Sequence, residues 1–206
     1  MLTRVLKSHR AMLGVFVFVL AAAINVPADA QTSGGARAES DKLVAQAENL
    51  VAEAGKVDPA DSAKIRRAID KLHDAVNIDP RNDSAYVDLG FCYGVLRDGA
   101  TAVDMYLKAT QINPSGANFK ELADIYLRTG DSEKALMAAN AGITKDPNSP
   151  SLYNAKGMAL NDLGRQAEAA EAFQRALRID PNFAVARQNL KTLNSGSSGR
   201  GSVSRQ

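Results

Sequence analysis

The sequence predicts an all-α fold built as a solenoid of stacked helical hairpins. Pro80, Pro114, Pro147 and Pro181 follow one another at spacings of 34, 33 and 34 residues, and each follows an amphipathic run. In residues 150–181 a glycine-containing turn divides the unit into two such runs, each with apolar residues at helical spacing. A lone hairpin of this size cannot bury its apolar face. A helix–turn–helix period near 34 residues is therefore typical of a solenoid.

Residues 1–30 have the pattern of a secretory signal peptide. Three basic residues precede an uncharged apolar core of 14 residues, which is too short to span a bilayer comfortably. The sequence therefore predicts export to the periplasm or the medium, with no stable membrane insertion after cleavage. An uncleaved N-terminal membrane anchor is the alternative. The parts of the segment are Arg4, Lys7 and Arg10; residues 11–24; and the small-x-small site Ala28–Ala30 before Gln31.

Removal of this segment changes the charge of the chain. The full sequence has 25 Lys and Arg residues against 23 Asp and Glu residues, and the segment takes three and one of these. The mature chain then has 22 of each and no net charge. This balance offers no electrostatic footprint for nucleic acid or for an acidic membrane surface.

The first part of the mature chain reads as an irregular hairpin. Residues 31–37 are polar and glycine-rich, which predicts a short flexible lead, and residues 38–80 follow as a degenerate or capping repeat. Its two helices are expected over residues 38–54 and from about 61 to 78, with a turn containing Gly55 and Pro59 between them.

Three regular units follow, over residues 83–116, 117–149 and 150–181. Small and large residues alternate in each at fixed positions, with only Lys156 and Ala139 departing from the preferred types. This pattern resembles the tetratricopeptide repeat (TPR) family and implies a right-handed superhelical solenoid. The resemblance also implies that Gly90 and Gly157 face Ala102 and Ala169 in close helix pairs, with aromatic residues between successive hairpins. The positions are Tyr86, Leu89, Gly90, Tyr93, Ala102, Tyr106 and Ala109; Phe119, Leu122, Ala123, Tyr126, Ala135, Ala139 and Gly142; and Tyr153, Gly157, Leu160, Ala169, Phe173 and Ala176.

The C-terminal part is expected to close the solenoid. Residues 182–193 carry Phe183, Ala186, Leu190 and Leu193 at helical spacing, which predicts a capping helix with a polar outer face. Residues 194–206 are rich in Ser and Gly, a composition typical of a disordered tail.

Few residues of the mature chain could carry chemistry. It has one histidine, His73, and one cysteine, Cys92, on separate predicted helices. A structural metal site needs about four ligands, and a catalytic thiol needs an activating base. The sequence contains no glycine-rich phosphate loop and no nucleophile elbow. It therefore predicts a protein that is not an enzyme and has no cofactor and no metal.

The resemblance implies a concave surface that binds a peptide or a partner protein, lined by the first helix of each hairpin. TPR domains that clamp a C-terminal carboxylate have Asn at the positions of Phe91, Asp124 and Met158, so such clamping is not expected. Phe91 and Met158 could equally be core residues between hairpins. The predicted groove residues are Val87, Asp88, Phe91, Val95, Lys120, Asp124, Arg128, Asn154, Met158, Asn161 and Asp162.

The expected function is therefore that of a protein-interaction scaffold or adaptor. Exported proteins that resemble this chain commonly assist the assembly of envelope machinery such as pili or secretion systems. An accessory or chaperone subunit of an exported enzyme is the alternative. The sequence leaves the oligomeric state open.

Overall fold

A computed structural model describes residues 29–55 and 61–200, and in that part of the chain the backbone forms nine α-helices and no β-strand. The all-α prediction is confirmed, and the helices stack as a solenoid. The paired helices α3–α4, α5–α6 and α7–α8 correspond to the three regular units, with α5 beginning one residue before the predicted boundary at 117. In chain order the helices are α1 (Asp29–Ala54), α2 (Ser62–Ile78), α3 (Asp83–Val95), α4 (Gly99–Ile112), α5 (Gly116–Thr129), α6 (Ser132–Lys145), α7 (Pro150–Asp162), α8 (Gln166–Ile179) and α9 (Ala184–Arg200).

The second helix of every hairpin stops two residues before a proline, and the one residue between them, the C-cap, is the end residue of the hairpin. These four end residues have φ between −134° and −128°, outside the helical range. Proline disfavours the helical conformation in the residue before it, so the sequence period fixes where each hairpin stops. The end residues are Asp79, Asn113, Asp146 and Asp180.

The turn inside each of the three regular hairpins has one residue with left-handed backbone. Gly130 and Gly164 fill this position in the second and third hairpins, with φ of 83° and 76°. The first hairpin has Arg97 there instead, with φ of 63°. A side chain in this conformation costs roughly 1 kcal/mol relative to glycine. The first hairpin is thus strained at its turn and the other two are not.

Two glycines let an aromatic ring lie against a helix backbone. A Cβ atom on Gly90 would lie 2.8–2.9 Å from the Tyr106 ring, and one on Gly157 would lie 2.5–2.9 Å from the Phe173 ring. The nearest atoms to both glycines therefore belong to aromatic rings of the same hairpin. The expected close approach of paired helices at both glycines is confirmed, and an aromatic ring is the nearest group. The large ring fills the room that the missing side chain leaves.

The stack has an inner side and an outer side. Each first helix contacts the first helix of the next hairpin, from α1 through α3, α5 and α7 to α9. The second helices of residues 61–200 do not contact one another. Such a stack curves with its first helices inside, where the predicted groove lies.

Both ends of the solenoid carry more helix than the composition suggests. Helix α1 begins at Asp29, so the expected flexible lead, residues 31–37, is helical. Ser40 Oγ donates to the carbonyl of Ala75 at 2.9 Å, and Arg37 pairs with Asp79 at 3.2 Å. Once these contacts anchor α1, each further helical turn towards its N-terminus can form at little cost in free energy.

At the other end, α9 buries Ala186 and Leu193 as expected and then continues to Arg200, past the predicted boundary at Leu193. The predicted tail from 201 onward and the predicted signal peptide up to residue 28 lie outside the described residues. Within the described ranges, no helix combines the length and the apolarity needed to cross a membrane.

Candidate functional site: the inner face of the solenoid

The candidate site is the inner side of the curve, formed by the first helices α3, α5 and α7 and extended by α1 and α9. The predicted groove residues differ in how far they are exposed. Val87, Asp88, Val95, Lys120 and Asp124 are partly exposed; Phe91, Arg128, Met158, Asn161 and Asp162 are exposed; and Asn154 is buried.

Two apolar side chains on this face are open to solvent. Phe91 on α3 is 46% exposed and Met158 on α7 is 37% exposed. The open question of whether they are core residues between hairpins is thereby resolved, because a core side chain would be covered. They flank the charged middle of the inner face from either side.

Asp88 lies one turn before Phe91, and its Oδ2 atom is buried with no hydrogen-bond partner. Burial, followed by the negative charge of Glu48 on α1, raises the pKa of Asp88 to about 6. A raised pKa means that the folded state binds this proton more tightly than the unfolded chain. The resulting stabilisation is complete below the ordinary value of 3.8 and is lost as the pH rises through about 6. At neutral pH, ionised Asp88 therefore destabilises the free protein.

Three charged residues of α5, Lys120, Glu121 and Asp124, pair with one another. Lys120 Nζ lies 3.0 Å from both Glu121 Oε1 and Asp124 Oδ2. Burial opposes the charge of Lys120, but hydrogen bonds to the two carboxylates outweigh burial and raise its pKa. Partly exposed pairs of this kind contribute only about 0.3–0.5 kcal/mol. A partner segment could therefore replace these ion pairs with ion pairs of its own at little cost in free energy.

Arg128 has a structural role in addition to the predicted one. Its Nη2 atom donates to the carbonyl oxygen of Gly94 at 2.8 Å, at the C-terminal end of α3. A Cβ atom on Gly94 would lie 3.1 Å from Arg128 Nη1. Arg128 therefore joins the second regular hairpin to the first, which leaves Lys120 and Asp124 as the predicted groove charges of α5 that a partner can rearrange.

Asn154 departs from its predicted place in the groove. It is only 8% exposed, and its Oδ1 atom accepts a hydrogen bond from Asn189 of α9 at 2.9 Å. The closing helix covers it and uses it as an anchor, so a partner cannot reach its amide. Beside it a cleft of about 300 Å³ opens between α7 and α9. The cleft is lined by Met158, Asn161, Asp162, Gln166, Phe173, Asn189, Thr192 and Leu193.

The two residues considered for chemistry are engaged in packing. Cys92 is fully buried, and burial together with the Asp88 charge raises the pKa of its thiol to about 12. It is therefore not a thiolate nucleophile. His73 Nε2 lies 3.0 Å from the Tyr93 hydroxyl and so joins α2 to α3. Residues 29–55 and 61–200 contain no group of three or more His, Cys, Asp or Glu side chains placed to hold a metal ion.

The residues that sequence reasoning missed lie on the end helices. Glu48 faces the Asp88 region from α1, and Asn189 and Thr192 line the cleft from α9. Neither helix fits the regular repeat pattern, so no position in that pattern assigns these side chains to the inner face.

Comparison with known proteins places the chain among repeat proteins. Residues 120–182 match a family model described as tetratricopeptide repeat. The small glutamine-rich tetratricopeptide repeat-containing protein 2 of Mycosarcoma maydis is 32% identical over 95 residues, which cover 46% of this chain and 27% of that protein. The photosystem I assembly protein Ycf3 of Parasynechococcus marenigrum is 29% identical over 124 residues, which cover 50% of this chain and 72% of that protein. The chain thus spans about a quarter of the first relative's length.

Two solved structures are similar in fold. YrrB, described as a TPR protein with an unusual peptide-binding site, has a TM-score of 0.58 at 23% identity over 77% of each chain. The first TPR of Spaghetti (RPAP3), bound to the HSP90 peptide SRMEEVD, has a TM-score of 0.54 at 21% identity over 58% of this chain and 96% of that chain. The stacked hairpins, the matched segment and these structures identify the fold of this chain as a tetratricopeptide-repeat solenoid.

Proposed function

We propose that this chain is a non-enzymatic scaffold or adaptor that binds an extended or helical segment of a partner protein across its inner face. The observation that carries the proposal is the arrangement of that face. Phe91 and the Met158 cleft are open on either side of a pair of weakly held charges, Lys120 and Asp124. Apolar contacts can anchor a partner at both places, and the charges between them can set its register.

The known relatives support a role in binding and assembly. One similar structure holds a peptide, another is described by its peptide-binding site, and one relative is named for the assembly of photosystem I. For this chain we propose assembly of envelope, pilus or secretion machinery outside the cytoplasm. The basis for this location is the signal-peptide pattern of residues 1–30. An accessory or chaperone subunit of an exported enzyme would use the same face.

Capture from the envelope fraction tests this function. A C-terminally tagged full chain, recovered from exporting cells, should begin at Gln31 and carry a defined partner. The change Phe91→Asp should abolish capture, because it places a charge on the open apolar side chain of the inner face. The matched control is Met137→Asp, on the second helix α6, where the parent side chain is 72% exposed.

Equal capture by both variants would place the binding surface elsewhere. Recovery of a chain that still begins at Met1 from the membrane pellet would show an anchor in place of a cleaved signal. Far-UV circular dichroism of both variants verifies that neither change unfolds the solenoid.

A further inference from the structure

We propose that Asp88 is the subsite for one cationic side chain, a lysine or an arginine, of the partner segment. This inference rests on the proposed function and specifies the chemistry of the partner. The observation on which it is based concerns a single atom. Among the buried side-chain nitrogen and oxygen atoms of the described residues, Asp88 Oδ2 is the one without a hydrogen-bond partner.

An unsatisfied oxygen of this kind is costly to the free protein. Leaving a buried acceptor unpaired is unfavourable, and more so when the group is charged. Oδ2 itself is closed to solvent, but the residue as a whole is partly exposed, so a cation can approach Asp88 from outside. A cation from outside could neutralise it without opening the hairpin.

The surroundings of Asp88 favour a positive ligand. The charge of Glu48 on α1 acts on Asp88, and the charges of Glu121, Asp88 and Asp124 act together on the Tyr106 hydroxyl against the single opposing charge of Arg128. These carboxylates make the inner face negative where α1, α3 and α5 meet.

The nearby basic side chains of the chain are already engaged. The Lys120 ammonium is held between Glu121 and Asp124, and Arg128 donates to the carbonyl of Gly94. His73, on α2, pairs with the hydroxyl of Tyr93. No ion pair or hydrogen bond within the described residues joins any of them to Asp88.

Phe91 completes the subsite. It lies three residues after Asp88 on α3, so the two side chains share one side of the helix, and it is the most exposed aromatic residue of the inner face. Lysine and arginine have long apolar stems that pack on aromatic rings while their charged ends reach a carboxylate. A bound cation would thus contact the ring and the acid together.

The partner is therefore expected to present a basic residue beside an apolar one. This requirement is opposite in sign to the recognition of a terminal carboxylate. An acidic partner segment would meet repulsion from Asp88 and Glu48, and like charges that face each other across an interface suppress wrong partners.

A peptide array tests the subsite even while the partner protein is unidentified. The probe is the folded full chain, labelled and applied to a library of random 12-residue peptides. Wild type should select peptides that contain Lys or Arg at one position. The variant Asp88→Asn keeps the shape and removes the charge, so it should lose that preference, and the selected peptides should bind at least about tenfold more weakly. The matched control is Asp104→Asn, an exposed aspartate of the second helix α4, which should select as wild type does.

The possible outcomes separate the two proposals. If no peptide is bound by wild type, the proposed function fails and the subsite fails with it. If peptides are bound without a preference for Lys or Arg, or if Asp88→Asn retains that preference, only the subsite is overturned. A melting temperature of Asp88→Asn at or above that of wild type shows that lost binding is not lost folding, and it is the direction expected when an unpaired charge is removed.

Discussion

The change Gly157→Leu should lower the free energy of unfolding by about 2 kcal/mol, which for a chain of this size corresponds to a fall in melting temperature of roughly 4–8 °C. The reason is steric. A Cβ atom at this position would lie 2.5 Å from Cε1 of Phe173, whose ring is itself buried. Helix propensity acts in the opposite direction, because leucine is better than glycine in a helix by somewhat under about 1 kcal/mol. The clash is the larger effect, and thermal melting monitored by circular dichroism measures the net change.

A matched control separates the two contributions. Gly35 also lies inside a helix, α1, but a Cβ atom there would have no other atom within 4 Å. The change Gly35→Ala should therefore leave the melting temperature unchanged or raise it. If Gly157→Leu also melted above the parent, the close packing of α7 on Phe173 would be disproved.

The change Asn82→Ala should cost about 2–3 kcal/mol, because Asn82 joins the N-terminal hairpin to the first regular hairpin. The side chain is fully buried. Its Oδ1 atom accepts the backbone N–H of Ala85 as the cap of α3, and its Nδ2 atom donates to Ser40 and Asp41 of α1 at 2.8 and 2.9 Å. Alanine removes the cap and leaves the buried Ser40 hydroxyl without its donor. The shift of the urea midpoint measures the loss.

Asn148→Ala is the control for this change, since Asn148 is an exposed asparagine in the turn before α7. It should alter stability by less than about 0.5 kcal/mol. Hydrogen exchange adds a local measurement, because α1 should lose amide protection in Asn82→Ala before the other helices do. Equal midpoints for the two variants would show that α1 is held by its apolar contacts alone.

The regular hairpins could be predicted from the sequence because each boundary has a local cause. The residue before each repeat proline leaves the helical conformation, and Gly130 and Gly164 provide the left-handed turns. Arg97 departs from this rule, yet it adopts the same left-handed backbone as the two glycines.

The inner face was only partly predictable, because exposure depends on neighbours that are distant in sequence. Asn154 occupies a groove position in the repeat pattern, yet α9 covers it through Asn189. Asp88 has an unpaired oxygen because the neighbouring charged residue on α1 is Glu48 and not a lysine or an arginine. Contacts of this kind come from end helices that lack the repeat pattern, so position within a repeat does not reveal them.

The central claim is that side chains of the inner face recognise the partner. Reversal of the order of the two charges on α5 tests this claim most directly. The double change Lys120→Glu with Asp124→Lys keeps net charge and again places one lysine among carboxylates, since Glu121 is retained. The fold should be unaffected, with far-UV circular dichroism and melting temperature close to those of the parent. Affinity for the captured partner should fall, because charges that set its register have exchanged places. Wild-type affinity in the folded double variant would contradict the account and place recognition outside the inner face.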